Sequence, residues 1–188
     1  MKIIILEGIA TSGKTSIKNL LVAEFKKKGM EFSVIDENQT LMPILDNADK
    51  DVSIQFLRKI LNKALSLEKD VLIFDRLYFT HIFRTASNID DFSEIEKMLS
   101  EHDVLLALLT IDEQKISERI QFAISHRDGR WIKFVRKKGN DAEIEKYYVE
   151  QQQLLLGLLN KTRITHIVEN STSGDFEGIT EAILKRMC

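Results

Sequence analysis

One cysteine, one proline and one tryptophan stand among 188 residues. With Cys188 alone, no disulfide can close within the chain, which excludes a disulfide-stapled secreted scaffold. His81, His102, His126 and His166 show no metal-ligand spacing and have no cysteine partners, so no zinc centre is expected. The lone Pro43 and the absence of any repeat or low-complexity tract leave no linker along which to divide the chain. No apolar run approaches the ~20 residues of a membrane span. The opening "MKIIIL" resembles a signal start, but its run ends at Glu7, short of the roughly 7–15 apolar residues of a signal core. Net charge is −2, so the broad basic field that nucleic acid demands is missing. These absences predict a cytoplasmic protein with a small-molecule partner, and neither nucleic acid nor membrane as partner.

What is present supports a sizeable core, since 44% of residues are hydrophobic, within a soluble surface that draws on 30% charged residues. The length suits one domain over residues 1–188. Continuous apolar runs at 3–6, 32–35, 71–74, 104–111 and 164–168 read as central strands of a parallel sheet covered on both faces. Amphipathic helical patterns lie between them, marked for instance by Ile17, Leu20, Leu21 and Phe25, and by Leu57, Ile60, Leu61, Ala64 and Leu65. The first ends in "KKKG", cations and a glycine that suit a helix C-terminus. Strand–helix alternation predicts an α/β doubly wound parallel sheet of about five strands flanked by helices. Two segments fit poorly, 38–47 and the basic 126–140, and both read as functional loops. The second and third helical patterns carry enough apolar residues for a homodimer face, although core packing uses the same pattern.

The motif with the most specific spacing is Gly8-x-x-x-x-Gly13-Lys14-Thr15, between a strand and an amphipathic helix. Glycines let consecutive backbone N–H groups turn inward on a phosphate, so Gly8, Ile9, Ala10, Thr11, Ser12, Gly13, Lys14, Thr15 and Ser16 are expected to cradle nucleotide phosphates. Lys14 would reach the β- and γ-phosphates, and Thr15 would ligate Mg²⁺. Asp75, at the end of the buried run "VLIFDR", would face the ligand crevice and hold Mg²⁺ or accept a proton; Arg76 beside it suits an acceptor phosphate. A strand-end ion pair is the alternative. Glu37, in the Asp36-Glu37 pair after the second run, could deprotonate an acceptor hydroxyl, or the pair could simply start a helix. Arg119, Arg127 and Arg130 form a cation group from which Arg119 or Arg127 is expected on phosphate, unless the run is a solvated helix face. Tyr147 and Tyr148 read as core more than site, and Trp131 as either a base stack or packing.

Together these residues resemble the thymidylate kinase and deoxynucleoside kinase branch of P-loop kinases. "LEGIATSGKTS" is similar to that group's first strand and P-loop, "DRLYFT" at 75–80 to its Asp-Arg-Tyr-x-x-Ser or Glu-Arg-Ser, "LTIDEQKISERI" to the approach to its lid, and "VENSTSGDFEGITEAIL" to its last strand and closing helix. The resemblance implies the P-loop NTP hydrolase fold of nucleoside and nucleotide kinases, with a helical lid at about 119–140. It implies ATP and Mg²⁺, a catalytic Arg119 contacting donor phosphates, and Asn170, Ser171, Thr172 and Ser173 near the adenine. It also implies Thr80 in the acceptor site and Glu37 as general base in the nucleoside branch. The sequence departs from the pattern where Asn38 replaces a proline, Leu77 a tyrosine, and Arg127 and Arg130 a compact arginine pair.

The expected function is therefore transfer of the γ-phosphoryl of ATP to a nucleoside monophosphate, with Arg76 and Arg84 as acceptor cations. A deoxynucleoside or another hydroxyl metabolite is the alternative acceptor. A GTPase-type switch lacks support, because "NKTR" at 160–163 misses the aspartate of a guanine-reading motif and "DRLY" stands where a switch has Asp-x-x-Gly.

Overall fold

Alternate side chains of the first strand divide the core in two. In β1 (Lys2–Gly8), Ile3 and Ile5 enter one apolar cluster while Ile4 and Leu6 enter another on the opposite face. Both faces are therefore covered, which is why the run is continuously apolar rather than alternating. The computed structural model describes residues 1–126 and 129–187, and of Arg130 only the backbone.

After β1 come α1 (Lys14–Lys27), β2 (Phe32–Ile35), the short α2 (Glu37–Thr40) and a single 3₁₀ turn at Met42–Ile44. Then follow α3 (Lys50–Leu65), β3 (Val71–Asp75), α4 (Tyr78–Thr85), a 3₁₀ turn at Ile89–Phe92, α5 (Ser93–Ser100) and β4 (Asp103–Thr110). The chain closes with α6 (Glu113–His126), α7 (Gly129–Arg136), α8 (Asp141–Leu159), β5 (His166–Asn170) and α9 (Phe176–Arg186). The five strands pair in parallel in the order β2-β3-β1-β4-β5. Helices α1 and α9 pack on the Ile4 face, and α3, α4, α5 and α8 on the Ile3 face. The chain moves outward from β1 to β2, returns through β3, and only then crosses to β4. The carboxyl ends of β1, β2 and β3 thus deliver Gly8, Asp36 and Asp75 to one rim, at the point where the winding reverses.

The expected C-terminus of α1 forms as read. Gly29 takes φ +65°, and the N–H groups of Gly29 and Met30 donate to Lys26 and Phe25 carbonyls at 3.1 and 3.0 Å, a Schellman closure. The α3 stripe of Leu57, Leu61 and Ala64 is buried within the chain's own core.

Three expectations are corrected. Residues 38–47 are not a plain loop, because Asp36 caps the turn of α2, its N–H donating to Gln39 Oε1 at 3.2 Å. The basic segment 126–140 contains the helix α7, whose Trp131, Phe134 and Val135 follow an i, i+3, i+4 spacing; Val135 is fully buried beside Ile120 and Ile144. Alpha-helical α6 and α7 occupy the stretch expected as a lid. The fifth strand starts at His166 rather than 164, because Ile164 plugs the core below the sheet while β5 forms an edge whose Val168 is 44% exposed. Among the described residues, no helix is long and apolar enough to cross a membrane.

Candidate functional site

The loop from Gly8 to Gly13 turns on positive φ values, +143° at Gly8, +69° at Thr11 and +83° at Gly13. At Gly8 a Cβ would lie 2.4 Å from the Leu109 carbonyl oxygen, and at Gly13 it would meet the Phe176 ring at 2.4 Å. Glycine is required at both, by conformation and by space. Lys14 folds back under the loop. Its Nζ donates to the carbonyls of Gly8 (3.0 Å) and Ile9 (2.7 Å), and to Ser12 Oγ (3.4 Å). Burial lowers the Lys14 pKa to about 7, with the Arg76 charge adding to the shift and Asp75, Glu37 and Glu7 opposing it.

The end of β3 makes a second unusual turn. Arg76 takes φ +65°, a left-handed conformation costing a non-glycine residue roughly 1–2 kcal/mol. The turn swings its guanidinium back over the P-loop: Nη1 donates to the Gly8 carbonyl at 2.7 Å and to Thr80 Oγ1 at 3.2 Å, and Nε to Glu37 Oε1 at 2.9 Å. Burial opposes the Arg76 charge, yet Glu37, Glu7 and Asp75 outweigh it and raise the pKa. Beneath it lies Glu7, fully buried. Its carboxylate accepts from the backbone N–H of Leu77 (2.8 Å) and of Thr80 (3.4 Å), and from Thr80 Oγ1 (2.6 Å), so the end of β1 caps α4. Burial raises the Glu7 pKa against those hydrogen bonds and the Arg76 charge.

Lys18, one turn beyond Lys14 on α1, joins two strand ends by ion pairs to Asp36 and to Asp75 Oδ2, the latter at 3.0 Å. The other oxygen, Asp75 Oδ1, is buried with no hydrogen-bond partner among the described residues. A buried, unpaired carboxylate oxygen fits an incoming cation, and Thr15 lines the same space.

Two chambers open on this framework. One, of about 710 Å³, is lined by Ala10 to Ser16 together with Arg119, Phe122 and Phe176. The other, of about 490 Å³, lies between α2, α4 and α8 and is lined by Lys18, Thr80, Arg84, Trp131, Tyr147 and Tyr148, among others. Ala10, Thr15, Glu37 and Arg76 line both. The second chamber balances the cations Lys18, Arg76 and Arg84 against the carboxylates Asp36, Glu37 and Asp75. Arg84 donates to the carbonyls of Ile44 (3.1 Å) and Leu45, while its Nη1 is buried without a hydrogen-bond partner among the described residues.

The expected site residues fall into distinct groups. Residues 10–16 line the first chamber, whereas Gly8 and Ile9 contribute carbonyls to Lys14, and Ile9 packs in the core. Glu37, Asp75, Arg76, Thr80 and Arg84 converge on the second chamber. Arg119 lines the first chamber, but its guanidinium donates to the carbonyls of Thr11 (3.3 Å), Ser171 (2.8 Å) and Thr172 (2.8 Å), tying the glycine loop after β1 to the loop after β5. Asn170, Ser171, Thr172 and Ser173 lie outside the residues lining either chamber. Asn170 and Thr172 bond Asp112 at 2.7 Å each, and Ser171 Oγ bonds the Thr110 carbonyl at 3.0 Å. Arg127 lies outside the described residues, as does the side chain of Arg130. Tyr148 is buried in the core cluster of Ile116, Ile120 and Ile144, and Tyr147 packs against it, as their core reading expects; both also line the second chamber, where α8 passes it.

Sequence reasoning passed over Lys18, Phe122 and Phe176. Lys18 had a signal, since position i+4 from Lys14 shares its helix face. Phe176 reaches the P-loop only because α9 packs on α1.

No protein-family model and no curated protein sequence matches the chain. Solved structures do. The chain is similar to the YorR protein of Bacillus subtilis, crystallised in complex with phosphorylated GDP, at 14% identity over 97% of this chain and 94% of that one, with a TM-score of 0.67. It is also similar to APE1195, at 16% identity over 98% and 93% of the two chains, with a TM-score of 0.58. The likeness spans nearly the whole chain and shows its fold, an α/β architecture on a five-stranded parallel sheet.

Proposed function

We propose that the chain is a phosphotransferase that moves the γ-phosphoryl group of ATP, with Mg²⁺, to a nucleoside monophosphate. The observation that carries this reading is the pair of chambers meeting at Thr15, Glu37 and Arg76, one built on a P-loop and the other on charged and aromatic side chains. Hydrolysis needs one nucleotide site; transfer between two bound molecules needs two sites with a shared wall. That a structural neighbour, YorR, was crystallised with phosphorylated GDP further supports a nucleotide ligand.

Donor phosphates lie against the N–H groups of residues 10–16 and the N-terminus of α1. Lys14 exchanges its two loop carbonyls for phosphate oxygens, a better match for a cation. Thr15 and Asp75 would hold Mg²⁺, which neutralises phosphate charge when bound. Arg76, already fixed by Glu37, Gly8 and Thr80, presents its guanidinium where the chambers meet, so it needs little reorganisation to bind an acceptor phosphate. Arg84 has one donor atom to spare for the same anion, and Trp131, Tyr147 and Tyr148 provide faces for a base. Positioning and charge neutralisation then account for most of the catalysis.

One observation favours a second reading. Glu37 stands at the junction with its carboxylate on Arg76, where it could take the proton of a hydroxyl. A nucleoside or another hydroxyl metabolite would then be the acceptor. ADP release from Mg-ATP over a panel of nucleosides and nucleoside monophosphates separates the two. Stimulation by a monophosphate supports the first reading, stimulation by a nucleoside alone the second, and hydrolysis indifferent to every acceptor would sink both.

A further inference from the structure

We propose that Phe122 is the platform on which the base of the donor nucleotide stacks, held through its face rather than through the loop at residues 170–173. The inference rests on the nucleotide-donor reading above and gives it a base subsite.

Phe122 is 65% exposed, the most exposed large apolar side chain among the described residues, yet it lines the phosphate chamber beside the P-loop. At that exposure much of the ring's apolar surface stays in contact with water beside the chamber, where a ligand can cover it. Its geometry is set on a rigid support. His126, one turn on in α6, stacks on it with ring centroids 4.1 Å apart and planes at 21°, and His126 Nδ1 donates to the Phe122 carbonyl at 2.8 Å. One turn before it, Arg119 anchors α6 to three carbonyls of the P-loop and of the loop after β5. Phe176 lines the same chamber with its ring against Gly13.

The polar side chains at 170–172 are committed elsewhere. Asn170 and Thr172 bond Asp112, Ser171 bonds Thr110, and neither chamber is lined by them. Stacking needs only the π-face that every base has, so the platform takes purine nucleotides without regard to the edge.

Calorimetric binding to the full chain with Mg²⁺ and no acceptor tests this, with ATP, GTP and inorganic tripolyphosphate as probes. Phe122→Ala should weaken ATP and GTP alike by about tenfold and leave tripolyphosphate unchanged, while Phe122→Trp restores the nucleotides. A loss shared equally by tripolyphosphate, or no loss with either nucleotide, overturns the platform. A loss confined to ATP overturns face-only recognition. Failure of the unaltered chain to bind any of the three defeats the nucleotide reading itself. An unchanged thermal midpoint for Phe122→Ala, expected for so exposed a side chain, shows that the fold is intact.

Discussion

The fold changes the chemistry of Lys14. A buried ammonium on two carbonyls is poorly solvated, and its pKa falls from 10.5 to about 7. Between about pH 7 and 10.5 the unfolded chain binds this proton and the folded chain does not. The burial penalty is therefore full below about 7, and stability from this group rises with pH across that window. A phosphate against Lys14 restores its charge. Nucleotide binding at pH 8 should then take up nearly one proton, seen calorimetrically as a heat that varies with the buffer's ionisation enthalpy, and Lys14→Ala should abolish the uptake. The same substitution should lower phosphotransfer at least about 100-fold in a steady-state assay without unfolding the chain. Gly13→Ala meets a different obstacle. A φ of +83° costs an alanine roughly 1–2 kcal/mol, and its methyl would push Phe176 off the loop, so urea unfolding should report that loss together with weaker nucleotide binding.

At the scale of elements, α4 is held from a strand it does not follow. Glu7 of β1 accepts the Leu77 and Thr80 N–H groups and the Thr80 hydroxyl, which places Arg76 and Thr80 over the P-loop. Glu7→Ala should cost about 2–4 kcal/mol in urea denaturation, because three buried donors lose their acceptor; Glu7→Gln should cost about 1, since an amide oxygen still serves Leu77. A Glu7→Ala variant of unchanged stability would refute the cap. Helix α7 is a second case. Its apolar spacing was present in the sequence but hidden among cations and glycines, and Val135 shows what the pattern was for: it seats the helix on α6 and α8. With the helix seated, Trp131 faces the second chamber. Trp131→Ala should raise the acceptor KM about tenfold and leave the donor affinity alone, a split readable in initial rates.

At the scale of the molecule, all five strands share one sheet, and the turns after β1 and β3 that line the two chambers hang from its rim. Nucleotide at 100 times its Kd should therefore raise the stability of the whole fold by about 2.7 kcal/mol, moving a single calorimetric transition by about 5–10 °C. Two transitions, with only one responding, would mean that α6 and α7 unfold apart from the sheet.

The chain order alone determined the fold class, four of the five strand positions, the glycine turn and the cap of α1. Those features depend on neighbours in sequence: apolar runs as long as a strand, φ freedom at Gly8 and Gly13, a glycine after a run of lysines. The last strand was misplaced because Ile164, apolar like a strand residue, is buried in the core ahead of β5 rather than in the sheet. Tertiary structure alone decided which side chains share a chamber. It set Tyr147 and Tyr148 of α8 in one chamber with Asp36 and Asp75, committed Arg119 to three carbonyls, and left one oxygen of Asp75 and one nitrogen of Arg84 without hydrogen-bond partners among the described residues. No periodicity encodes those outcomes, because each depends on the distance between residues brought together only when β1 and β3 pair and α8 packs across them.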